Sequence, residues 1–370
     1  MARIPIAVVI GTRPEAIKMA PVIKALEKSS ILCPFVVSTG QQRELARQAL
    51  DGAGIVPDVD LDLMRPSQSL AFLTSQVVGS VFEVLGRSGC AACLVHGDTT
   101  TALASALSAF YAKIPLGHVE AGLRTYDFER PWPEEMNRRL IDPICRWCFA
   151  PTPLSGGNLL GEHIPADRIF VTGNTGIDAL IDCRSRLKQR QASDGNSRMI
   201  LVTGHRRESF GDGFLGICSA IRRIVDERAD VRVVYPVHLN PNVREPVFRL
   251  LSGNERIFLQ EPVGYTEFVG LMNDSYFILT DSGGVQEEAP SLGKPVLVMR
   301  DTTERPEGVT AGTSVLVGTD PHAIFAESIR LLDDRAEYER RASLRNPYGD
   351  GASAQRIVAI LEKDLATQAS

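Results

Sequence analysis

Short apolar segments alternate with longer amphipathic segments along the first half of the chain. The apolar segments are predicted to be strands and cover residues 6–10, 35–38, 92–96, 116–119, 148–150 and 169–172. The segments between them, roughly ten to twenty residues each, have the spacing of helices that bury one face. This alternation predicts a parallel sheet with helices on both faces, and ligands bind such sheets beyond the carboxyl ends of the strands.

The alternation begins again in the second half. Its predicted strands cover residues 199–202, 231–235, 257–259, 276–279, 296–299 and 314–317, after a polar stretch at 189–198 that ends a helix. We therefore predict an α/β protein with two Rossmann-like domains, residues 1–174 and 175–350. A helix over 351–370 has Ile357, Ile360 and Leu361 along one face and is expected to pack back on the first domain.

Length and charge limit the possible functions. The chain has 370 residues, of which 44% are hydrophobic and 23% charged, and its net charge at pH 7 is -5. This length favours two domains. The net charge argues against a nucleic-acid partner and leaves a small anion as the expected ligand. No apolar run is long enough to cross a bilayer or to form a signal peptide, so we expect a cytoplasmic protein without a membrane partner.

Seven cysteines include two C-x-x-C pairs, Cys90 with Cys93 and Cys145 with Cys148. Such pairs can form a zinc site or a redox centre, but these lie in or beside apolar strands and far apart in the sequence. We predict buried reduced thiols, and the odd number of cysteines agrees with a reducing compartment.

The stretch 280–308 combines a strand end, a glycine turn, a helix start and several charges. The glycines at 283 and 284 are expected to let the backbone turn tightly into a helix over 285–292. The first N–H groups of a helix lack intrahelical partners, so a phosphate can bind there. The alternative is an ordinary turn in which Ser282 caps the helix.

Four charged residues in this stretch extend the interpretation. Glu287 and Glu288 fall in the first turn, where a carboxylate favours the helix dipole or accepts hydrogen bonds from ribose hydroxyls. Arg300 and Arg305 follow the next strand. The combination is typical of a nucleotide-sugar site.

Polar residues also follow the predicted strands of the first domain. Arg13 and Lys18 stand near a helix start, where an arginine can hold a phosphate through two hydrogen bonds; the alternative is a solvated loop charge. Asp98 either acts in chemistry or caps the next helix. Glu120 follows another strand, and Glu134, like its neighbour at 135, either acts in chemistry or favours a helix dipole.

Histidines follow two strands of the second domain. His205, with Arg206 and Arg207 beside it, can donate to a phosphate or transfer a proton. His238 ends another strand and is either a site residue or a structural histidine. Two histidines of the first domain, at 96 and 118, lie within predicted strands and are expected to be buried and hydrogen-bonded.

Taken together, these segments resemble the non-hydrolysing UDP-N-acetylglucosamine 2-epimerases over nearly the whole chain. The motifs stand in family order: GTRPEAIKMAP, HGDTT, HVEAGLRT, PWPEEMNR, TGNT, VTGHRRESFG, YPVHLNPNVREP, LTDSGGVQEEAPSLGKPVLVMRDTTERPE and NPYGDG. The resemblance implies the GT-B fold, with two facing Rossmann-like domains and the active-site cleft between them. It also implies a homodimer, UDP-GlcNAc and UDP-ManNAc as substrates, and no metal or nicotinamide cofactor.

The resemblance also assigns roles to individual residues. The residues implied to hold UDP are Arg13, Lys18, His205, Val263, Phe268, Ser282, Gly283, Gly284, Glu288 and Arg305. Asp98, Glu120 and Glu134 are implied to surround the sugar, with His205 also catalytic. Many relatives have glutamine where this chain has Val263, so a contact with uracil there is expected from backbone atoms. Gln41, Arg206 and His238 have no place in the UDP clamp and are predicted to bind a second, activating UDP-GlcNAc.

The implied reaction is elimination of UDP to 2-acetamidoglucal, followed by re-addition with a proton on the other face. Direct deprotonation is too slow because no carbonyl acidifies C2. The reaction therefore needs a clamp for the leaving diphosphate, a base and an acid. The alternatives are a hydrolysing 2-epimerase, a retaining glycosyltransferase and a nucleotide-sugar sensor without catalytic activity.

Overall fold

The computed structural model describes residues 2–65, 68–187 and 197–366. It divides into two compact units, residues 1–179 with 348–370, and residues 180–347. These limits differ by a few residues from the domain limits that the sequence predicts. Most of the polar stretch predicted at 189–198, and the last residues of the predicted C-terminal helix, lie outside the described residues.

The first unit is built on a parallel sheet. Its strands are β1 (Ile4–Ile10), β2 (Leu32–Ser38), β3 (Val59–Asp60), β4 (Ala92–His96), β5 (Leu116–Val119), β6 (Trp147–Ala150) and β7 (Ile169–Val171). Their order across the sheet is β3-β2-β1-β4-β5-β6-β7. Each neighbouring pair is parallel.

Helices connect these strands. They are α1 (Arg13–Lys28), α2 (Arg43–Ala53), α3 (Leu70–Ser88), α4 (Thr100–Tyr111), α5 (Glu134–Ile141), α6 (Pro153–Gly161) and α7 (Thr175–Arg186), with α15 (Ser353–Ala366) near the end of the chain. Short 3-10 turns cover Asp142–Ile144 and Ala166–Arg168. The first unit ends within α7.

Alternation along β1 explains why helices cover both faces of this sheet. Ile6, Val8 and Ile10 pack on one face with residues of α1 and α15. Ala7 and Val9 pack on the opposite face with residues of α3 and α4. Successive side chains of a strand point to opposite faces, so a strand covered on both sides is apolar at every position.

The second unit repeats this plan. Its strands are β8 (Arg198–Thr203), β9 (Val231–Pro236), β10 (Ile257–Gln260), β11 (Phe277–Thr280), β12 (Val296–Val298) and β13 (Ser314–Leu316). Their order is β10-β9-β8-β11-β12-β13, again parallel throughout. The first strand of each unit lies inside its sheet, so the order reverses beside it. A reversal of this kind is where α/β sheets bind ligands.

The helices of the second unit cover both faces of its sheet. They are α8 (Asp212–Glu227), α9 (Pro241–Leu251), α10 (Tyr265–Asp274), α11 (Gly283–Glu288), α12 (Pro306–Ala311), α13 (Pro321–Asp333) and α14 (Arg335–Ala342). Short 3-10 turns cover Arg207–Ser209 and Ala289–Leu292. In the part of the chain that the structure describes, no helix is long and apolar enough to cross a membrane.

The twelve predicted strands are all present, with ends that differ by at most three residues. The predicted reduced thiols are confirmed: all seven cysteines are free, and six are buried while Cys33 is half-buried. Burial raises the pKa of the Cys93 thiol above its ordinary range. This thiol is therefore protonated at neutral pH.

Candidate functional site

The turn after β1 is fixed by a capping box at the start of α1. The Thr12 side chain accepts the Glu15 N–H, and the Glu15 carboxylate accepts the backbone N–H groups of Gly11 and Thr12 at 2.7 Å. Burial raises the pKa of Glu15, against the hydrogen bond from Thr99 and those N–H groups. Arg13 begins α1 immediately after this turn and is half-buried. The box therefore sets the position of Arg13.

Glu120, directly after β5, is surrounded by nitrogen atoms. Its Oε2 forms an ion pair with Lys18 and accepts a hydrogen bond from Asn174 Nδ2 at 3.2 Å. The side chain is 10% exposed. Its backbone has φ +71°, a left-handed conformation that is unusual for residues other than glycine and that clusters at functional sites. The resemblance assigns Lys18 to UDP, whereas in this structure its amine is bound to Glu120.

His96, the last residue of β4, lies next to this carboxylate. Its Nε2 is 3.6 Å from Glu120 Oε2, and the side chain is only 4% exposed. Within the described residues, this buried Nε2 has no hydrogen-bond partner. The sequence predicts that His96 is buried and hydrogen-bonded. Its burial is confirmed, but the predicted hydrogen bond is wrong for Nε2.

His118 shows the contrasting arrangement on the neighbouring strand. Its ring nitrogens lie 2.6 Å from Asp142 Oδ1 and 2.7 Å from the Gly97 carbonyl oxygen. Arg124 also donates to Asp142. Burial would raise the pKa of Asp142, but His118 and Arg124 hold it below its ordinary value. The prediction of a buried, hydrogen-bonded histidine is confirmed here, and the network is structural.

Asp98 is held by α5. The Arg138 guanidinium forms an ion pair with its carboxylate at 2.7 Å, and Asn137 Nδ2 donates to its backbone carbonyl at 2.7 Å. The alternative that Asp98 caps a helix is wrong, because the capping residue of α4 is Thr99, whose hydroxyl accepts the Ala102 N–H. Asp98 keeps 27% of its side chain exposed. It is therefore an anchored carboxylate that remains accessible.

Glu134 and Glu135 are adjacent in sequence but differ in environment. Glu135 is buried, and its carboxylate accepts the backbone N–H groups of Thr125 and Tyr126 at 3.0 Å. Glu134 is the first residue of α5 and is half-buried. Its Oε2 has no hydrogen-bond partner among the residues described. Glu135 therefore anchors the loop before α5, whereas one carboxylate oxygen of Glu134 is not held by any described residue.

In the second unit, a buried aspartate organises the turn after β8. Asp281 Oδ2 accepts the backbone N–H groups of His205 and Arg206 at 2.7 and 2.8 Å. Its Oδ1 lies 3.1 Å from His205 Nδ1. Burial would raise the pKa of Asp281, but His205 and the two N–H groups bring it below its ordinary value. The contact at Nδ1 orients the His205 ring.

His238 contacts His205. Its ring stacks on that of His205, with centroids 5.7 Å apart and planes inclined by 26°. Its Nδ1 accepts the Asn240 N–H at 3.1 Å. The prediction that His238 ends a strand is wrong by two residues, since β9 ends at Pro236.

The 282–284 segment departs from the expected turn in two ways. Ser282 occupies the cap position of α11, but its side chain makes no capping hydrogen bond. Gly283 and Gly284 are the first residues of α11, and neither has the left-handed φ that requires glycine. A Cβ at Gly284 would meet only Ser282 Oγ, at 3.9 Å. The glycines therefore leave the start of the helix uncovered and are not needed for the turn.

Arg305 lies over this helix start. A Cβ at Gly283 would be 3.8 Å from Arg305 Cζ. The guanidinium forms an ion pair with Glu287, whose side chain is 3% exposed, and Nη1 donates to the Glu304 carbonyl at 3.2 Å. Arg305 and the glycine segment, more than twenty residues apart in sequence, are therefore neighbours.

The remaining candidate residues of the second unit lie on either side of the glycine segment in the sequence. Glu288 Oε1 accepts a hydrogen bond from the Tyr265 hydroxyl at 3.2 Å. Val263 and Phe268 are half-buried and pack on the core beneath α10 and α11. Arg300 is paired with Glu208 and Glu304 at 2.5 and 2.7 Å.

The three residues predicted for an activating site are divided between the two units. Gln41 Oε1 accepts a hydrogen bond from Thr101 at 2.6 Å in the first unit. Arg206 is half-buried in the second unit, and its buried Nε has no hydrogen-bond partner among the described residues. His238, also in the second unit, is exposed.

Four residues of these sites were missed as candidates in the sequence. They are Asn174, Arg138, Asp281 and His96, and each contacts a candidate rather than standing alone. Three lie inside the motifs TGNT, LTDSGG and HGDTT, and Arg138 closes PWPEEMNR. The motif pattern could have included them, but only the fold identifies their partners.

The chain matches the family model described as UDP-N-acetylglucosamine 2-epimerase over residues 24–362. A UDP-N-acetylglucosamine 2-epimerase of Salmonella typhimurium is 54% identical over 96% of this chain and 97% of its own length. The crystal structure of UDP-GlcNAc 2-epimerase from Neisseria meningitidis bound to UDP-GlcNAc is 48% identical, with a TM-score of 0.89 over 97% of this chain and 100% of that chain. The Methanocaldococcus jannaschii enzyme in complex with UDP-GlcNAc and UDP is 34% identical, with a TM-score of 0.80 over 97% and 100%.

Proposed function

Because the chain belongs to the UDP-N-acetylglucosamine 2-epimerase family and has its two-domain GT-B-like α/β fold, we propose that it interconverts UDP-GlcNAc and UDP-ManNAc without hydrolysis. The relatives whose structures contain UDP-GlcNAc and UDP support the choice of ligand. UDP is lost from C1 and a proton from C2, which gives 2-acetamidoglucal. UDP then adds back to C1 while C2 receives a proton on its other face.

The second unit carries the groups that we assign to UDP. An arginine can bind two phosphate oxygens at once and so stabilise charge on the departing diphosphate. The residues that we assign to the diphosphate are His205, Ser282, Gly283, Gly284 and Arg305, together with Arg13 and Lys18 from the first unit. We assign Val263, Phe268 and Glu288 to the nucleoside. The neighbouring positions of Arg305 and Gly283 support a shared phosphate site.

The first unit carries the carboxylates that we assign to C2. Asp98, Glu120 and Glu134 differ in their partners. Asp98 is paired with an arginine, and Glu120 contacts a lysine and an amide. One buried oxygen of Glu134 has no hydrogen-bond partner within the described chain. Groups that exchange a proton with carbon in both directions need different environments, since one must hold a proton while the other lacks it.

The observation that carries the proposal is the setting of Glu120. A carboxylate that is 10% exposed, ion-paired with Lys18 and held at φ +71° is costly to maintain for binding alone. The same setting suits a group that must change protonation next to carbon. We therefore favour an epimerase over a sensor that only binds nucleotide sugars.

Three further parts of the proposal follow from the resemblance. We propose a cytoplasmic homodimer, which light scattering tests as a mass twice the 40.3 kDa of the chain. We also propose that UDP-GlcNAc is an activator, bound by Gln41, Arg206 and His238. An activator that prefers one conformation shifts the population towards it, so the rate rises sigmoidally with concentration.

Product analysis tests the proposed reaction. The protein is incubated with UDP-GlcNAc, and separately with UDP-ManNAc containing a trace of UDP-GlcNAc, and the products are separated by anion-exchange chromatography. We expect both reactions to reach the same ratio of the two nucleotide sugars. Accumulation of free N-acetylmannosamine with UDP would instead identify a hydrolysing enzyme, and unchanged substrates would reject an epimerase.

A further inference from the structure

The reaction proposed above leaves the protein in an altered state after every turnover. The group that takes the C2 proton ends protonated, while the group that supplies the new proton ends deprotonated. A second turnover in the same direction needs both groups to return to their starting states. A buried carboxylate therefore requires a route by which a proton enters or leaves.

Glu120 Oε2, the oxygen that faces His96, is already held by other nitrogen atoms. The Glu120 side chain is 10% exposed, and Oε2 contacts the Lys18 amine and the Asn174 amide. The amide cannot titrate, and the lysine donates to the carboxylate through a close ion pair. Neither contact offers a site that can receive a proton from Glu120.

His96 offers such a site. Its Nε2 faces the same Oε2 at 3.6 Å, is buried, and has no hydrogen-bond partner among the residues that the structure describes. A buried polar nitrogen without a partner costs free energy, so its retention needs an explanation. A shift of less than about 1 Å would bring the two atoms to hydrogen-bonding distance.

Charged groups lie around His96. Glu120 lies on one side, with Lys18 beyond it. Glu15 is another carboxyl group near His96; burial raises its pKa, and its hydrogen bonds and His96 lower it. His118, on the next strand, has both ring nitrogens occupied and lacks this freedom.

We propose that His96 acts through Glu120 as a proton relay that resets this carboxylate between turnovers. This inference rests on the proposed epimerase reaction. When Glu120 ends a turnover protonated, its Oε2–H bond breaks, the proton forms a bond to His96 Nε2, and the imidazolium passes a proton to water. When Glu120 ends deprotonated, water supplies the proton and the same transfer runs in reverse. His96 does not touch the substrate in this scheme, so it is a positioning and relay residue.

The test compares single and repeated turnovers of His96→Ala. With enzyme in excess over UDP-GlcNAc, no reset is needed, and we expect a rate constant within about threefold of wild type. With substrate in excess, we expect at least about a tenfold loss, less than the roughly hundredfold or more that an acid or base in direct contact with the substrate contributes. Added imidazole should restore several-fold of the multiple-turnover rate by entering the space left by the ring.

Asn174→Ala is the matched control, because it removes another contact to Glu120 Oε2 without removing a titratable group. Its single- and multiple-turnover rates should fall together and should not respond to imidazole. Calorimetric UDP binding and thermal unfolding check that each variant is folded. If His96→Ala is unfolded, His96→Asn gives the same comparison of rates with a smaller change in volume.

Equal losses in the two regimes for His96→Ala, without an imidazole response, would overturn the relay and leave a structural role. An unchanged multiple-turnover rate would overturn it as well. Both outcomes differ from a failure of the proposed function, in which the wild-type protein itself forms no UDP-ManNAc.

Discussion

Replacing Arg305 by alanine should weaken UDP binding and also destabilise the second unit. The guanidinium lies beside Gly283 at the start of α11 and is paired with the buried Glu287. A hydrogen bond between charged groups contributes about 1.5–3 kcal/mol, so loss of the phosphate contact should cost about 2–3 kcal/mol, or roughly 30- to 150-fold in Kd. Removing one partner of a buried pair costs up to about 3–5 kcal/mol; we expect about 1–3 kcal/mol because Arg305 remains 16% exposed.

Isothermal titration with UDP and chemical unfolding measure these two effects separately. Arg300→Ala is the matched control, because Arg300 is an arginine of the same segment with carboxylate partners and only 5% exposure, but no assigned contact with UDP. It should lose stability while keeping UDP affinity within about twofold. A folded Arg305→Ala protein that binds UDP as tightly as wild type would refute the assignment of Arg305 to the phosphates.

Three further predictions concern catalysis, pH and activation. Asp98→Asn, Glu120→Gln and Glu134→Gln should each lower kcat at least about a hundredfold while UDP still binds, and near-normal turnover would remove that residue from the acid-base set. Contacts with His205 and backbone N–H groups hold the pKa of Asp281 low, so its contribution to stability is present above the unfolded-state pKa of about 3.9 and is lost as pH falls through the lower folded pKa. The free energy of unfolding in urea should therefore fall less steeply from pH 5 to pH 3 for Asp281→Asn than for wild type, and equal slopes would contradict this. Arg206→Ala should convert sigmoidal forward kinetics to hyperbolic kinetics, and retained sigmoidality would remove Arg206 from the activating site.

The sequence predicts most of the fold because both units have strands buried on both faces. Such strands are continuous apolar runs, and Ala92–His96 and Leu116–Val119 are found with the predicted limits. The strand Val59–Asp60 was missed because two residues at a sheet edge leave no detectable pattern. Predicted ends differ from observed ones where a polar residue such as Thr280 completes a strand.

The candidate sites were predictable as positions but not as contacts. The ends of parallel strands indicated where polar residues collect, and Arg305 does lie beside Gly283. The sequence could not separate Glu134 from Glu135, because adjacent helix residues point in different directions and only the fold shows which one is buried. The sequence also could not show the contact of His96 with Glu120, because it joins the ends of two different strands through side chains.

The central claim is that the C2 proton is lost and replaced while the nucleotide sugar is retained, and proton NMR in deuterated water tests this most directly. UDP-GlcNAc incubated with the protein should yield UDP-ManNAc that carries deuterium at C2, with matching loss of the C2 proton signal from the remaining UDP-GlcNAc as the reaction reverses. UDP-ManNAc that keeps the original proton at C2 would contradict the account, because inversion would then proceed without breaking the C2–H bond.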